Sequence, residues 1–190
     1  YWNRDEHYYK PGSWHGDAKL DGGTLFTQFS HFIDIMYLLF GDITNINGSF
    51  ADFNHQHLTD FEDSGIVTFN FVEGRGMGCL NYSTAVWDTN FESAITIIGS
   101  KGTVKVAGQY MNEVVYCHIS DYEMPELAAS NPPNDYGRYK GSAQNHHYVI
   151  ENVVEKLMGD GDIKTNLLEG LKVVDIIERI YAVRDAKWKK

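Results

Sequence analysis

Two cysteines in 190 residues, no long apolar run and a shortage of positive charge mark this sequence by what it lacks. Cys79 and Cys117 sit in alternating apolar segments with no partner close in sequence. That excludes a disulfide framework and a cysteine-type zinc site, and it fits a reducing, cytoplasmic compartment. No stretch reaches the roughly 18 to 20 apolar residues of a membrane span. Lys and Arg number 16 against 26 Asp and Glu, a formal net charge of -10, so no basic stripe exists to displace counterions from nucleic-acid phosphates. The one basic cluster, Lys187, Trp188, Lys189 and Lys190, reads as a solvated helix end favoured by the macrodipole. The opening Tyr1-Trp2-Asn3-Arg4 is neither a Met start nor a basic-then-apolar leader, and the expectation is a fragment that begins in mid-pattern.

What is present is apolar and aromatic: 43% and 14% of the residues, which excludes disorder and supplies a core for one globular domain. The first twenty residues, with Trp2, Tyr8, Tyr9 and Trp14 among Pro11, Gly12 and Gly16, predict an ordered loop covering something. After the Asp21-Gly22-Gly23 turn, Thr24 is placed to cap a helix that runs to about Phe40 and stops at Gly41. Alternation then predicts six strands, at 43–53, 65–71, 76–87, 91–98, 103–106 and 113–119. The Glu73-Gly74-Arg75-Gly76 and Gly99-Ser100-Lys101-Gly102 turns make neighbouring strands antiparallel. Residues 120–141, with Pro125, Pro132 and Pro133, read as a long surface connection. Two helices close the chain. One covers 142–158 with Val149, Val153, Val154 and Leu157 on one side. The other runs from a capping box at Asn166 and Glu169 to about Trp188, with Leu168, Leu171, Val174, Ile177 and Ile180 at helical period. Strands and helices are segregated, so the fold class is α+β, a mainly antiparallel sheet with helices packed on one face.

Spacing also singles out a polar stripe on the first helix. Thr27, His31 and Asp34 follow one another by four and three residues, and Gln28 is three before His31, so all four project from one side and border a cleft or solvent. Leu25, Phe29, Phe32, Ile33, Met36, Leu39 and Phe40 anchor the opposite side on the sheet. A histidine there suits alcohol oxidation, because its ordinary pKa of about 6.5 lies near working pH and the hydroxyl proton needs a base. Asp34, one turn on, is placed to orient the ring or raise its pKa. Spacing alone equally fits a histidine that only ties helix to loop. His55 and His57 alternate along a strand and share a face. With no carboxylate or Cys at a tight metal spacing, they read as a solvated edge and no metal is expected. Val67, Phe69 and Phe71 on one strand face leave an apolar surface suited to a homo-oligomer.

Taken together, Tyr8-Tyr9, Gly12-Ser13-Trp14-His15-Gly16, Asp21-Gly22-Gly23-Thr24-Leu25, Gln28 and His31 with Ile33-Asp34 resemble the Gfo/Idh/MocA oxidoreductases. The Ile97-Ile98-Gly99-Ser100-Lys101-Gly102-Thr103 segment and the Asn145-His146-His147 helix start extend the resemblance nearly end to end. It comes nearest to the branch that oxidises nucleotide-activated N-acetyl sugars. The resemblance implies that residues 1–190 are the substrate-binding, C-terminal domain of a two-domain NAD(P)-dependent enzyme, with the Rossmann domain and the family's catalytic lysine absent. No GxGxxG follows any strand in these residues, so nothing here cradles a dinucleotide pyrophosphate. By the same resemblance His31 is the active-site histidine. Arg4, Trp14, His15, Thr27, Gln28, Asp34 and His147 are the substrate-side candidates. Thr27 stands where many members carry a carboxylate, which rules out acid or base work there. His15 stands where the nucleotide-sugar branch commonly has Arg, and a neutral imidazole holds a diphosphate less well than a guanidinium fork. The function implied is interconversion of a hydroxyl and a ketone on a sugar or nucleotide sugar. A silent sugar-binding or assembly domain of the same fold, or a dehydrogenase of free inositol or an aldose, stays open.

Overall fold

The structure, a computed structural model, describes residues 1–74, 76–137 and 140–187, without the side chain of Ser142. The Arg75 position of the first hairpin turn and the tail from Trp188 to Lys190 lie outside the described residues. Along the chain run α1 (Thr24–Thr27), α2 (Ser30–Phe40), β1 (Ile43–Ala51), β2 (Ser64–Phe71), β3 (Met77–Ser83), β4 (Ile95–Gly99), β5 (Gly102–Ala107), β6 (Glu113–Ile119), β7 (Pro133–Asp135), β8 (Lys140–Ala143), α3 (His146–Met158) and α4 (Leu167–Lys187). The α+β class and all six expected strands are there. The strands form two separate three-stranded antiparallel sheets, β1-β2-β3 and β4-β5-β6, and not one. The chain divides into two compact units, Arg4–Ala85 with Lys164–Lys190, and Tyr1–Asn3 with Val86–Ile163.

In the first unit the apolar alternation of β2 turns Val67 and Phe69 inward, 0% and 4% exposed, while Ile66 faces solvent at 55%. Val67 and Phe69 are therefore interior residues of this unit and not the open surface expected for self-association, because the unit's own elements already cover that face. Helices pack on the sheet as expected, but the anchor of the first helix differs. Helix α4 lies against β1, and α2 lies against α4 as well as reaching the sheet through the Phe40–Phe71 and Phe29–Tyr82 ring contacts. Leu25, Phe29 and Ile33 from the first helices and Ile176, Ile177 and Ile180 from α4 are buried, each stabilising the fold by about 2 kcal/mol. Leu39 is 51% exposed, so the expected apolar anchor is narrower than its composition suggested.

The first helix is broken. Phe29, with φ -124° and ψ 9°, leaves helical geometry between α1 and α2, and Gly41 ends α2 with φ 77° as expected of a glycine stop. Thr24 is not the cap: Gly23 holds that position, and the Thr24 hydroxyl donates to the Glu62 carbonyl at 2.6 Å. Gly23 is required there, since φ is 124° and a Cβ would stand 2.5 Å from the Tyr181 hydroxyl. The Asn166 and Glu169 capping box forms as expected, with Asn166 Oδ1 accepting from the backbone N–H groups of Leu168 and Glu169 and Glu169 Oε2 accepting from that of Asn166. Along α4 only Ile177 and Ile180 of the expected stripe are buried, whereas Leu168, Leu171 and Val174 are exposed.

In the second unit, Gly99 and Gly102 pair across the tight turn that joins β4 to β5. Trp2 is buried and its indole N–H donates to Ser93 Oγ at 2.9 Å. Residues 120–141 are more than a connection, since β7 and β8 pair within and just beyond them. That pairing moves the start of α3 from 142 to His146. Helix α3 buries none of its residues, and the expected apolar side of Val149, Val153, Val154 and Leu157 is exposed.

Candidate functional site

The aromatic loop and the helix break of the first unit meet around three polar side chains. Gln28 caps the C-terminal end of α1, its backbone N–H donating to the Thr24 carbonyl, and its side-chain amide lies inside the protein, 3% exposed. Gln28 Oε1 accepts from Arg4 Nε at 2.6 Å, and Gln28 Nε2 donates to the Tyr8 hydroxyl at 2.7 Å. Arg4 is itself 6% exposed, with its guanidinium carbon 5.2 Å from the centre of the Tyr8 ring. Trp14 stacks on His15 at 3.9 Å, and the His15 ring is 4.3 Å from that of Tyr8. Ser13 Oγ lies 2.8 Å from His15 Nδ1. Burial holds the pKa of His15 below its ordinary value, which favours the neutral ring.

Thr27 is committed to the fold: its hydroxyl donates to Asp21 Oδ1 at 2.7 Å. The other oxygen of the buried Asp21 carboxylate accepts from the Gly16 N–H at 2.8 Å, so Asp21 ties the Trp14 loop to α1. The four helix residues expected on one stripe are thus divided. Thr27 and Gln28 turn onto loop partners, while His31, past the break, is exposed at the start of α2 and Asp34 is half-buried one turn on. The His31 ring lies 4.5 Å from that of Phe32. Desolvation lowers its pKa, the reverse of the raise expected from Asp34. His147 is an exposed residue in the first turn of α3, in the second unit, with its ring 3.9 Å from that of Tyr148. An open polar cleft of about 320 Å³ lies between the 9–17 loop and residues 56–60. Of the expected site residues His15 lines it, and His31 does not.

Sequence reasoning missed the acidic residues beneath this site. His55 and His57 belong to the loop after β1, not to a strand, and they do not share an environment: His55 is 3% exposed and His57 is exposed. Asp52, His55 and Asp63 bring ligand-type atoms within 4.8 Å of one another. Both His55 nitrogens are already engaged, with Asp63 and with the Arg4 carbonyl, and Asp63 accepts from three further donors. The cluster is a hydrogen-bonded clamp. Next to it Glu62, fully buried, accepts from Tyr82, Tyr181 and Arg184 at 2.9, 3.1 and 2.7 Å. Burial pushes its pKa up, against the pull of the Arg184 guanidinium. The only sequence signal for these groups was an acidic pair, Glu62-Asp63, directly before an alternating strand.

The fold is similar to that of a WlbA dehydrogenase from Bordetella pertussis, solved in complex with NADH and UDP-GlcNAcA. The TM-score is 0.78 and the identity 27%, over 97% of this chain and 50% of that one. A WlbA dehydrogenase from Chromobacterium violaceum, also solved with NADH and UDP-GlcNAcA, is similar in fold with a TM-score of 0.77 at 24% identity over the same shares. A levoglucosan dehydrogenase in complex with NADH and levoglucosan gives a TM-score of 0.71 at 15% identity, over 98% of this chain and 55% of that one. The chain therefore spans about half the length of the solved proteins it resembles. No curated protein matches it. The family model described as the GFO/IDH/MocA C-terminal domain matches residues 1–105, more than half of the chain, and the chain belongs to that family.

Proposed function

We propose that this chain holds the substrate in an NAD(P)-dependent oxidoreductase that interconverts a hydroxyl and a ketone on a sugar or nucleotide sugar, with His31 handling the hydroxyl proton. The carrying observation is the juxtaposition at the helix break: an exposed histidine three residues after Gln28, which with the buried Arg4 and the half-buried Tyr8 forms a hydrogen-bonded cluster, in a chain of this family. Among the described residues the strand that leads into a helix is β8, and it does so through Gln144 and Asn145 and not a glycine-rich turn. This chain thus offers no dinucleotide cradle, and the reading is that residues 1–190 are the C-terminal part of a two-domain protein whose other domain binds the cofactor.

When bound, the nicotinamide supplies the hydride chemistry. Everything else falls to groups of the protein. A base must be neutral to accept a proton, and desolvation keeps the His31 ring in that form near pH 7. The Trp14–His15 stack, the Tyr8 hydroxyl and the Gln28 amide supply the aromatic faces and hydrogen-bonding groups that sugars take. Thr27 carries no proton chemistry, being a hydroxyl tied to Asp21. One observation favours a second reading, in which the substrate is a free inositol or aldose: the ring of His15 is held towards neutrality, which weakens a grip on a diphosphate.

The test is turnover by the protein that carries this chain, with a panel of sugars and nucleotide sugars and either NAD or NADP. His31→Ala is expected to lower kcat by about 100-fold with cofactor binding kept, the range for a lost acid-base group. The wild-type rate of oxidation is expected to rise with pH through a value below 6.5 and then level off. Unchanged turnover in the variant would reduce His31 to a structural residue. Preference for free sugars would select the second reading, and no turnover on any substrate would leave a silent binding domain.

A further inference from the structure

Arg4 is steered by its own backbone, and that backbone is gripped by a residue outside the site. The Arg4 N–H donates to the Thr84 carbonyl at 3.0 Å, and the Arg4 carbonyl lies 2.6 Å from His55 Nε2. On the other side of the imidazole, Nδ1 lies 3.2 Å from Asp63 Oδ2. That same oxygen accepts from the backbone N–H groups of Phe53 at 2.9 Å and Asn54 at 2.8 Å, while Oδ1 accepts from the Ser64 hydroxyl at 2.7 Å. Asp63 is 1% exposed and His55 is 3% exposed.

This geometry has a chemical consequence. A peptide carbonyl only accepts hydrogen bonds, and an ionised carboxylate only accepts them, so His55 stands between two acceptors. A neutral imidazole has one N–H and can serve one of them, leaving a lone pair facing the other. The imidazolium serves both. The carboxylates around the ring agree: Asp63 just before β2, and Asp52 on the same loop, whose Oδ1 accepts from the His55 backbone N–H; the Arg4 guanidinium opposes them, and the Tyr9 ring is 5.2 Å away. Burial alone would lower the pKa of His55, but the Asp63 and Arg4 hydrogen bonds and the nearby carboxylates outweigh it and hold it above 6.5.

We propose that His55, clamped between the Asp63 carboxylate and the Arg4 carbonyl, is a positioning residue that sets where the Arg4 guanidinium sits and, through it, aims Gln28 and Tyr8 at the sugar. The inference rests on the reading of this site as the substrate side of a sugar oxidoreductase. His55 touches no substrate. It acts by fixing one peptide unit, and the sequence Arg4 Nε to Gln28 Oε1, Gln28 Nε2 to Tyr8 carries that fix to the site. When His55 loses its proton, one of its two bonds fails and the Arg4 peptide is released, so sugar affinity weakens on the alkaline side while the chemical step at His31 is untouched.

The test has two arms. In the protein that carries this chain, His55→Gln and Asp63→Asn are compared with wild type over about pH 5.5 to 9. Both variants are expected to raise KM for the sugar by about tenfold with kcat within about threefold, and to abolish the alkaline fall in kcat/KM that wild type shows. The second arm needs neither substrate nor variant. Nitrogen-15 NMR of wild type is expected to find both His55 ring nitrogens protonated at neutral pH, with the Arg4 Nε–H resonance moving at the same midpoint as His55. If Arg4 stays still while His55 titrates, or if KM and its pH dependence are the same in His55→Gln as in wild type, the inference is overturned. A wild type inactive on every sugar, with the Arg4 and His55 signals still coupled, overturns the functional reading and supports the clamp itself.

Discussion

At the scale of the residue, the decisive groups are carboxylates taken out of water. Glu62 is fully buried, and the cost of taking it out of water is offset by Arg184, Tyr82 and Tyr181, which all donate to it. Tyr181 in turn accepts from the Leu25 N–H at 2.7 Å, so one carboxylate links α4, the edge strand β3 and the first helical turn. Replacing Glu62 with Gln leaves the Arg184 guanidinium, with 14% of its side chain exposed, with Asp185 at its Nε but no buried charge partner. Chemical denaturation at pH 7 is expected to register a loss of about 3 kcal/mol, as for other broken buried pairs. The pH dependence has a definite sign. Burial raises the folded pKa of Glu62 above 4.5, so the native state binds this proton more tightly than the unfolded chain does. Glu62 therefore makes the fold gain stability as pH falls through the folded value towards 4.5. Glu62→Gln should lack that gain, and an unchanged slope would assign it to another group.

At the scale of the element, periodicity found the helices and strands but not which face each one buries. Helix α4 illustrates the difference, since Leu168, Leu171, Ile177 and Ile180 share one apolar repeat although only the last two lie in the core of the first unit. Thermal and denaturant unfolding of this chain should separate them: Ile180→Ala is expected to cost about 3 kcal/mol, and Leu168→Ala less than about 0.5 kcal/mol. Equal losses would mean that the exposed half of the stripe is covered in solution. The first helix makes the same point about polar residues. Spacing put Thr27, Gln28, His31 and Asp34 on one side of a continuous helix, but the break at Phe29 separates them, with Gln28 buried against Arg4 and Tyr8 on one side of it and His31 exposed on the other. No propensity in Thr27-Gln28-Phe29-Ser30 announces that break. The buried polar partners across the loop stabilise it. The β7–β8 pair escaped notice for a related reason: strands of three and four residues are shorter than any alternation that can be read.

At the scale of the whole molecule, the chain spans about half the length of the solved proteins it resembles. Titrated with NADH and followed through its tryptophan fluorescence, this chain alone should give no saturable quench, because the described residues contain no glycine-rich strand-to-helix turn to hold a pyrophosphate. Saturation at micromolar NADH would place a cofactor contact within these residues. No helix among the described residues is long and apolar enough to cross a membrane.

The division of labour between sequence and tertiary structure follows from the range of the forces involved. Local patterns are set by neighbours along the chain, and so the sequence by itself determined the α+β class, the six main strands with their antiparallel turns, the Gly41 stop, the Asn166–Glu169 cap and the family motifs around His31. Tertiary structure alone decided which carboxylates lie buried, which imidazole stands between two acceptors and which apolar stripes are covered. Asp21, Glu62, Asp63 and His55 take partners as far as 122 residues away, and their burial depends on other segments closing over them.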